Sequence, residues 1–523
     1  MAPVQVVWFK RDLRVCDHAP LHDAARNGPV LAIVGVEPNY WAGADTSARQ
    51  YNWWAACARA LGNDIGALGG RLHVQTGDIC EAFDQIAERR GLFTLHAHEE
   101  TGNRWTYERD IRVRAWCKKN EVTFHEHRQY GILRGSALNR DRWAKDWDAF
   151  MERPAKPMPS MPSSDRNWVE DEGFSNVVPS PDELGLTPDP VEWMPEPGTA
   201  AAREVLQSFL YERGRDYRTD MSSPTLAATG GSRLSPHLAV GTISMRECYQ
   251  TTLARQAELK GDNSADAKAW RSSLRSFVGR LHWHCHFIQK LEADPQLEWR
   301  PAVRAYEGMR PPSDPELLDA FAKGQTGFPF VDACMRQLAA TGWINFRMRA
   351  MLMSFACYDL FLRWQDAGMV LARLFTDYEP GIHWTQAQMQ SGESGINTLR
   401  IYNPIKQGRD HDADGDYIRQ WVPELRGCDA KEVHEPWKHE CGTDYRAPLV
   451  DHAAAIKAAR DTIWHLRKRP EVKAEAQKVL EIHGSRKRPS TRRRRPFTEG
   501  TSANPLPKYA RPHRGMEGPR KPP

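Results

Sequence analysis

Residues 230–238 read Gly-Gly-Ser-Arg-Leu-Ser-Pro-His-Leu. Small residues, two hydroxyls, exposed backbone N–H groups and Arg233 gather there just before a helix start, a combination suited to holding a pyrophosphate. The same run also fits an ordinary Ser/Gly-rich helix start, and in isolation both readings stay open. Downstream, His282 and His286 are four apart, so a helix sets both imidazoles on one face and a metal ion is conceivable. No third ligand is evident, and no metal is expected. The ten cysteines include no C-x-x-C pair and no dense spacing, so reduced, mostly buried thiols are expected.

Elements must position these groups. At 523 residues the chain exceeds one ordinary core, and two large domains are expected. VQVVWF, PVLAIVGV, RLHVQTG, LFTLHAHE and VTFHEHR alternate with helical stretches such as SARQYNWWAACARALGNDIGAL, the pattern of a parallel sheet covered by helices. This gives an α/β, Rossmann-like N-terminal domain over 1–135. No GxGxxG follows the first strand, so dinucleotide binding of the usual kind is not expected there. Pro, Ser, Asp and Glu dominate from 153 to 198, and 136–198 is read as an interdomain connector. A nearly continuous helical pattern over 199–484 predicts an all-α second domain.

The segment 485–523 carries twelve Lys/Arg, including the run Arg492 to Arg495, against Glu499 and Glu517. It reads as a disordered tail, either simply solvated or adding non-specific, salt-sensitive contacts to nucleic-acid phosphates. No run of about 18 apolar residues is available to span a bilayer. The opening APVQVVWFKRDLR reads as a buried strand followed by charge rather than a signal peptide. A cytoplasmic monomer without membrane contact is expected.

In chain order, WFKRDLRVCDHAPL (8–21), DYRTDMSSPTLAATGGSRLSPHLAVGTIS (216–244), RSFVGRLHWHCHFIQKLE (275–292), TGWINFRMRAMLMSF (341–355), DYEPGIHWTQAQMQ (377–390) and LRIYNP (399–404) resemble the motifs of the photolyase/cryptochrome family. The resemblance spans nearly the whole chain except the basic tail. It implies FAD in the helical domain and leaves open an antenna chromophore, a folate or a deazaflavin, in the α/β domain. By position, Ser232, Arg233, Leu234 and Ser235 would grip the FAD phosphates, with Tyr217 beside the cofactor. Arg349 would sit over the flavin and pair with Asp377; Glu379 would be the second acidic contact, and His383 would face flavin N5. Trp283 and Trp343 would flank a flipped-out lesion, and Arg280, Arg347, Arg400 and Lys406 would face DNA. Trp364 would be the middle member of the family's tryptophan relay.

Several positions depart from the family pattern. Gly231 stands for a threonine, Arg280 for a lesion-binding glutamate, His284 for an arginine, Phe346 for an asparagine and Ala350 for a methionine or histidine. Glu379 replaces aspartate, and His383 takes a position held by asparagine, aspartate or cysteine elsewhere. An imidazole there is expected to donate to or accept from N5. The flavin-proximal and distal relay positions fall on Ala387 and Pro311, and Trp384 and Tyr378 are the nearby candidates to substitute. Cys428 and Cys441 lack the adjacent partner that the iron–sulfur cluster of some bacterial members would need. The expected activity is that of a deoxyribodipyrimidine photo-lyase acting on UV-damaged DNA, with a cryptochrome-type blue-light photoreceptor as the alternative.

Overall fold

Runs of Val, Ile, Leu and Ala become five strands: β1 (Val4–Phe9), β2 (Val30–Val36), β3 (Leu72–Thr76), β4 (Phe93–His98) and β5 (Thr123–His127). The computed structural model describes residues 2–135, 138–161, 167–396, 398–439, 441 and 444–484. The tail expected over 485–523 lies outside the described residues. All strand neighbours pair in parallel, in the order β3-β2-β1-β4-β5. The central strands are apolar almost throughout because helices cover both faces. On one face, α1 (Ala19–Asn27) and α2 (Ala48–Ala67) contribute Leu21, Trp53, Trp54 and Leu61 to the core. On the other, α3 (Ile79–Arg90) and α4 (Arg104–Lys119) contribute Phe83, Ile86 and Val113.

Under α1 the sheet is polar. The register His96↔His125 and His98↔His127 puts four imidazoles on one face, since paired residues of a sheet point the same way. His96 Nε2 lies 2.8 Å from Gln5 Oε1, and His98 Nδ1 lies 2.7 Å from Asp12 Oδ2. His18 Nε2 is 2.9 Å from the same carboxylate oxygen, while His18 Nδ1 accepts from the Leu21 N–H.

The connector is more ordered than its composition suggests. It contains α5 (Trp143–Met151), which buries Trp143 and Trp147. Trp168 and Ser175 form bridges to Val30 and Val74 of the sheet. Gly70 is required there, because a Cβ would come within 2.3 Å of the Trp168 ring. The sequence pattern missed this because Pro-rich chain can pack through single aromatic anchors without any period.

From Gly198 to His483 the elements are helices joined by loops, with no strand among the described residues. The helices that position the site are α6 (Ser235–Val240), α7 (Ala265–Ala293), α8 (Pro329–Thr341), α9 (Phe346–Ser354), α10 (Trp364–Leu374) and α11 (Pro380–Ser391). Trp364, Leu371, Trp384, Met348 and Leu352 from three of them meet in one buried cluster. Among the described residues no helix is long and apolar enough to cross a membrane. The expectation of reduced thiols needs one correction: Cys428 and Cys441 form a disulfide, with Cα atoms 5.3 Å apart. A 13-residue separation has no signature in sequence, and only the fold of the intervening loop brings the two together.

Burial, with the imidazoles of His125 and His127 nearby, pushes the His96 pKa down to about 4. A histidine depressed in the folded state costs stability as pH falls below its unfolded value of about 6.5. His96→Gln removes that cost. The wild-type-minus-variant unfolding free energy, read from urea titrations, should therefore fall by about 1 kcal/mol per pH unit between about pH 6 and 4.5. A pH-independent difference would contradict it.

Candidate functional site

The loop before α6 is held from behind by Arg213, whose guanidinium donates to the carbonyls of Thr229, Gly231, Ser232 and Val205. Sequence inspection gave no reason to single out Arg213, which lies outside the motif it supports. In front, Arg233 adopts φ +58°, a left-handed conformation that costs a non-glycine residue free energy. This turn carries its guanidinium between two indoles, 3.8 Å from the Trp343 ring centroid and 4.1 Å from that of Trp193. Among the described residues no acceptor pairs with it, and burial pushes its pKa down to about 10. Helix α6 has only six residues, too few for a strong dipole, so the anion-attracting element is the arginine rather than the expected helix start. Leu234 is buried, which leaves only its backbone to offer; Ser232 and Ser235 remain partly open.

Trp343 belongs to this loop. Its Nε1 donates to Ser235 Oγ at 3.3 Å, and its ring lies on Arg233. The resemblance places it across a lesion pocket from Trp283, whose own ring contacts are with His286 and Phe287 on α7. Trp193 was not anticipated at all; it sits in the Pro-rich connector, where only its being a large aromatic in a polar run could have marked it.

A second wall is acidic and basic in alternation. Arg349 Nη2 bonds both Asp377 carboxylate oxygens, at 2.8 and 3.0 Å, and its guanidinium lies 4.0 Å from the Phe375 ring centroid. Glu379 Oε2 is taken by Arg11 at 2.8 Å, and Glu379 Oε1 is buried without a partner. His383 Nε2 sits 2.8 Å from the Gly368 carbonyl, so that nitrogen carries the proton and Nδ1 can only accept. Burial pushes the His383 pKa down to about 4, so it stays neutral near pH 7. The expectation that His383 could donate to N5 is thereby narrowed to acceptance. Trp384 meets His383 and Trp364 with ring centroids 4.7 and 5.9 Å away. Tyr378 is tied to Asp45 through its hydroxyl at 2.7 Å.

On the outer side, Arg280 lies 4.4 Å from the ring centroid of Phe346, which is 48% exposed, and interacts with the Tyr217 hydroxyl. Trp283 and Arg347 are partly exposed, and Arg400 is exposed. Lys406 pairs with Asp410 at 3.0 Å, an exposed ion pair. His284 is half-buried beside Tyr130 and neutral, its pKa pushed to about 4 by desolvation, so it cannot replace the family's arginine as a cation. His282 and His286 pack against Trp143.

The residues fit a pyrophosphate-bearing cofactor. Among the described residues, Arg233 is a partly desolvated cation with no acceptor in direct contact, and Asn345 Oδ1 and Glu379 Oε1 are buried acceptors without a hydrogen-bond donor; such groups are costly unless something completes them. A half-open pocket walled by Trp8, Tyr40, Trp41, Trp54, Glu37 and Arg109 also opens in the α/β part. Asp12, His18 and His98 have metal-ligand chemistry and lie close together. The Leu21 N–H at His18 Nδ1, however, keeps the proton on Nε2 where an ion would bind.

Residues 5–142 match the family described as DNA photolyase, and residues 277–465 match the FAD binding domain of DNA photolyase. A deoxyribodipyrimidine photo-lyase of Streptomyces griseus is 30% identical over 86% of this chain and 97% of its own length. Cryptochrome-2 of Arabidopsis thaliana is 28% identical over 88% of this chain and 78% of its own. The structure of a class III photolyase from Agrobacterium tumefaciens superposes with a TM-score of 0.75 at 24% identity, covering 90% of this chain and 98% of that one.

Asp377 has a 2% exposed side chain against 27% for Arg349, so removing the acid leaves a half-desolvated cation near Arg233. Asp377→Asn should lower the unfolding free energy by about 2 kcal/mol, less than a fully buried broken pair would, as read by urea denaturation. A change below about 0.5 kcal/mol would mean that water already satisfies Arg349.

Proposed function

Because the chain belongs to the photolyase/cryptochrome family, we propose that it is a light-dependent DNA-repair photolyase that splits UV-induced pyrimidine dimers by electron transfer. The observation that carries this is the electrostatic interaction of Arg280 with the Tyr217 hydroxyl. The resemblance assigns the first to the DNA face and the second to the cofactor, and transfer of an electron to a lesion needs that proximity.

Reduced FAD, when bound, supplies the photoexcited electron, while the protein binds, orients and tunes. Arg233, Ser232 and Ser235 take the phosphate charge. The Arg349–Asp377 pair keeps a fixed dipole beside the ring system. His383, neutral and with its Nε2 proton committed to Gly368, offers Nδ1 as an acceptor at the N5 edge. Trp384 and Trp364 stand in edge contact and take over the relay in place of the missing proximal tryptophan.

At the outer surface, Trp283 stacks on an extruded base, worth about 1–3 kcal/mol, and extrusion costs least where damage has already weakened pairing. Arg280 donates to pyrimidine carbonyls where a glutamate would accept from ring N–H groups. Both cyclobutane and (6-4) lesions carry such carbonyls.

A cryptochrome-type photoreceptor is the second reading, favoured by the glutamate-to-arginine exchange at 280 and by the histidine at 383. Anaerobic chemical reduction bypasses the relay. The reduced protein, illuminated with blue light beside DNA carrying one defined lesion, should restore intact bases. Trp283→Ala should reduce lesion affinity roughly tenfold, the loss of one stacked base. No restoration of either lesion, with FAD bound and reduced, would favour the photoreceptor.

A further inference from the structure

We propose that the connector forms part of the cofactor grip, with Trp193 as a strap residue that presses Arg233 onto Trp343 and aims its guanidinium at the FAD pyrophosphate. This rests on the assignment of FAD to the helical domain and not on which photochemistry follows.

A guanidinium held between two ring faces, at 4.1 and 3.8 Å, cannot tilt. Its N–H groups can point only outward in its own plane, the arrangement that meets phosphate oxygens two at a time. The strap is anchored at two points just before Trp193. Asp189 accepts from Arg49 of α2 at 2.5 and 2.7 Å, and the Glu192 N–H donates to the Ala340 carbonyl at the end of α8 at 2.7 Å. Arg49 also donates to the carbonyls of Leu338 and Leu374, so one arginine of the α/β domain fixes both the strap and the helix ends beneath it. Trp193 is 39% exposed, which argues against a core-filling role; its inner face is spent on Arg233. The left-handed backbone at Arg233 is the cost of bringing the cation into that slot.

The test compares the wild-type chain with Trp193→Ala, Trp193→Phe and Asp189→Asn. The FAD dissociation constant and dark release rate are measured, ADP serves as a competitor carrying the diphosphate and adenosine without the flavin, and thermal unfolding of the FAD-free chains is followed. Trp193→Ala should weaken FAD and ADP equally, by about tenfold, as expected for losing one desolvated cation–π face. Trp193→Phe should recover most of that affinity, and Asp189→Asn should weaken both ligands about threefold by loosening the strap. FAD-free unfolding temperatures should stay unchanged in Trp193→Ala and Trp193→Phe and fall in Asp189→Asn, which leaves the buried Arg49 without its acid.

FAD affinity within twofold of wild type in Trp193→Ala would overturn the proposal, as would a loss for FAD that ADP does not share. Should Trp193→Ala fail to fold, Asp189→Asn decides by the same readout. A chain that binds FAD through this strap yet repairs no lesion would defeat the repair function and leave the strap standing.

Discussion

Residues 10–14, the turn that leaves β1, fasten the sheet to the helices, and the site depends on that joint. Their side chains divide between the two parts. Lys10 reaches Asp110 at 3.0 Å and Asp12 gathers the Lys10 N–H, His18 and His98, all within the α/β part. Arg11 bonds Glu379 and the Ala239 carbonyl, and Arg14 bonds the Gly241 carbonyl, all in the helical part. Gly241 has φ +73°, and a Cβ there would lie 2.3 Å from the Arg11 carbonyl; any other residue would push the turn off the end of α6. Burial alone would raise the Asp110 pKa, but Lys10 and Arg109 outweigh it and hold it at about 2. Removing one partner of such a buried pair costs about 3–5 kcal/mol, so the turn is rigid where the two parts meet.

That rigidity explains how the cofactor region tolerates incomplete charges. Glu379 is held by an arginine from the other part, Asp377 by Arg349 on α9, and Arg233 by two aromatic faces in place of an acid. Each charge is fixed by something that does not move, so Arg233 can remain without a counter-ion among the described residues while the fold holds. A site built this way is electrostatically prepared for an anion before one arrives, which is how preorganised sites avoid reorganisation on binding.

The outer surface follows different physics. Arg280 rests on the exposed ring of Phe346 rather than on an acid, so it is oriented without being neutralised and keeps its donors for a partner. His284, by contrast, is half-buried and uncharged. Two basic residue types that stand close together in sequence thus have opposite electrostatic consequences.

The strands were legible in sequence because a sheet buried on both faces needs uninterrupted apolar runs, and the helical half because its period is sustained. The loop at 230–236, Arg349 with Asp377, and Glu379 were legible as motif positions, since close backbone approach and charge pairing restrict residue type. What sequence could not fix was direction. Whether Trp343 faces a lesion or Arg233, which His383 nitrogen keeps its proton, that Trp193 from a Pro-rich connector reaches the loop, and that Cys428 meets Cys441 all depend on residues distant in the chain. Composition and spacing determine which groups are available along each element. Their orientation and protonation are set by the burial and hydrogen-bond partners that only packing supplies.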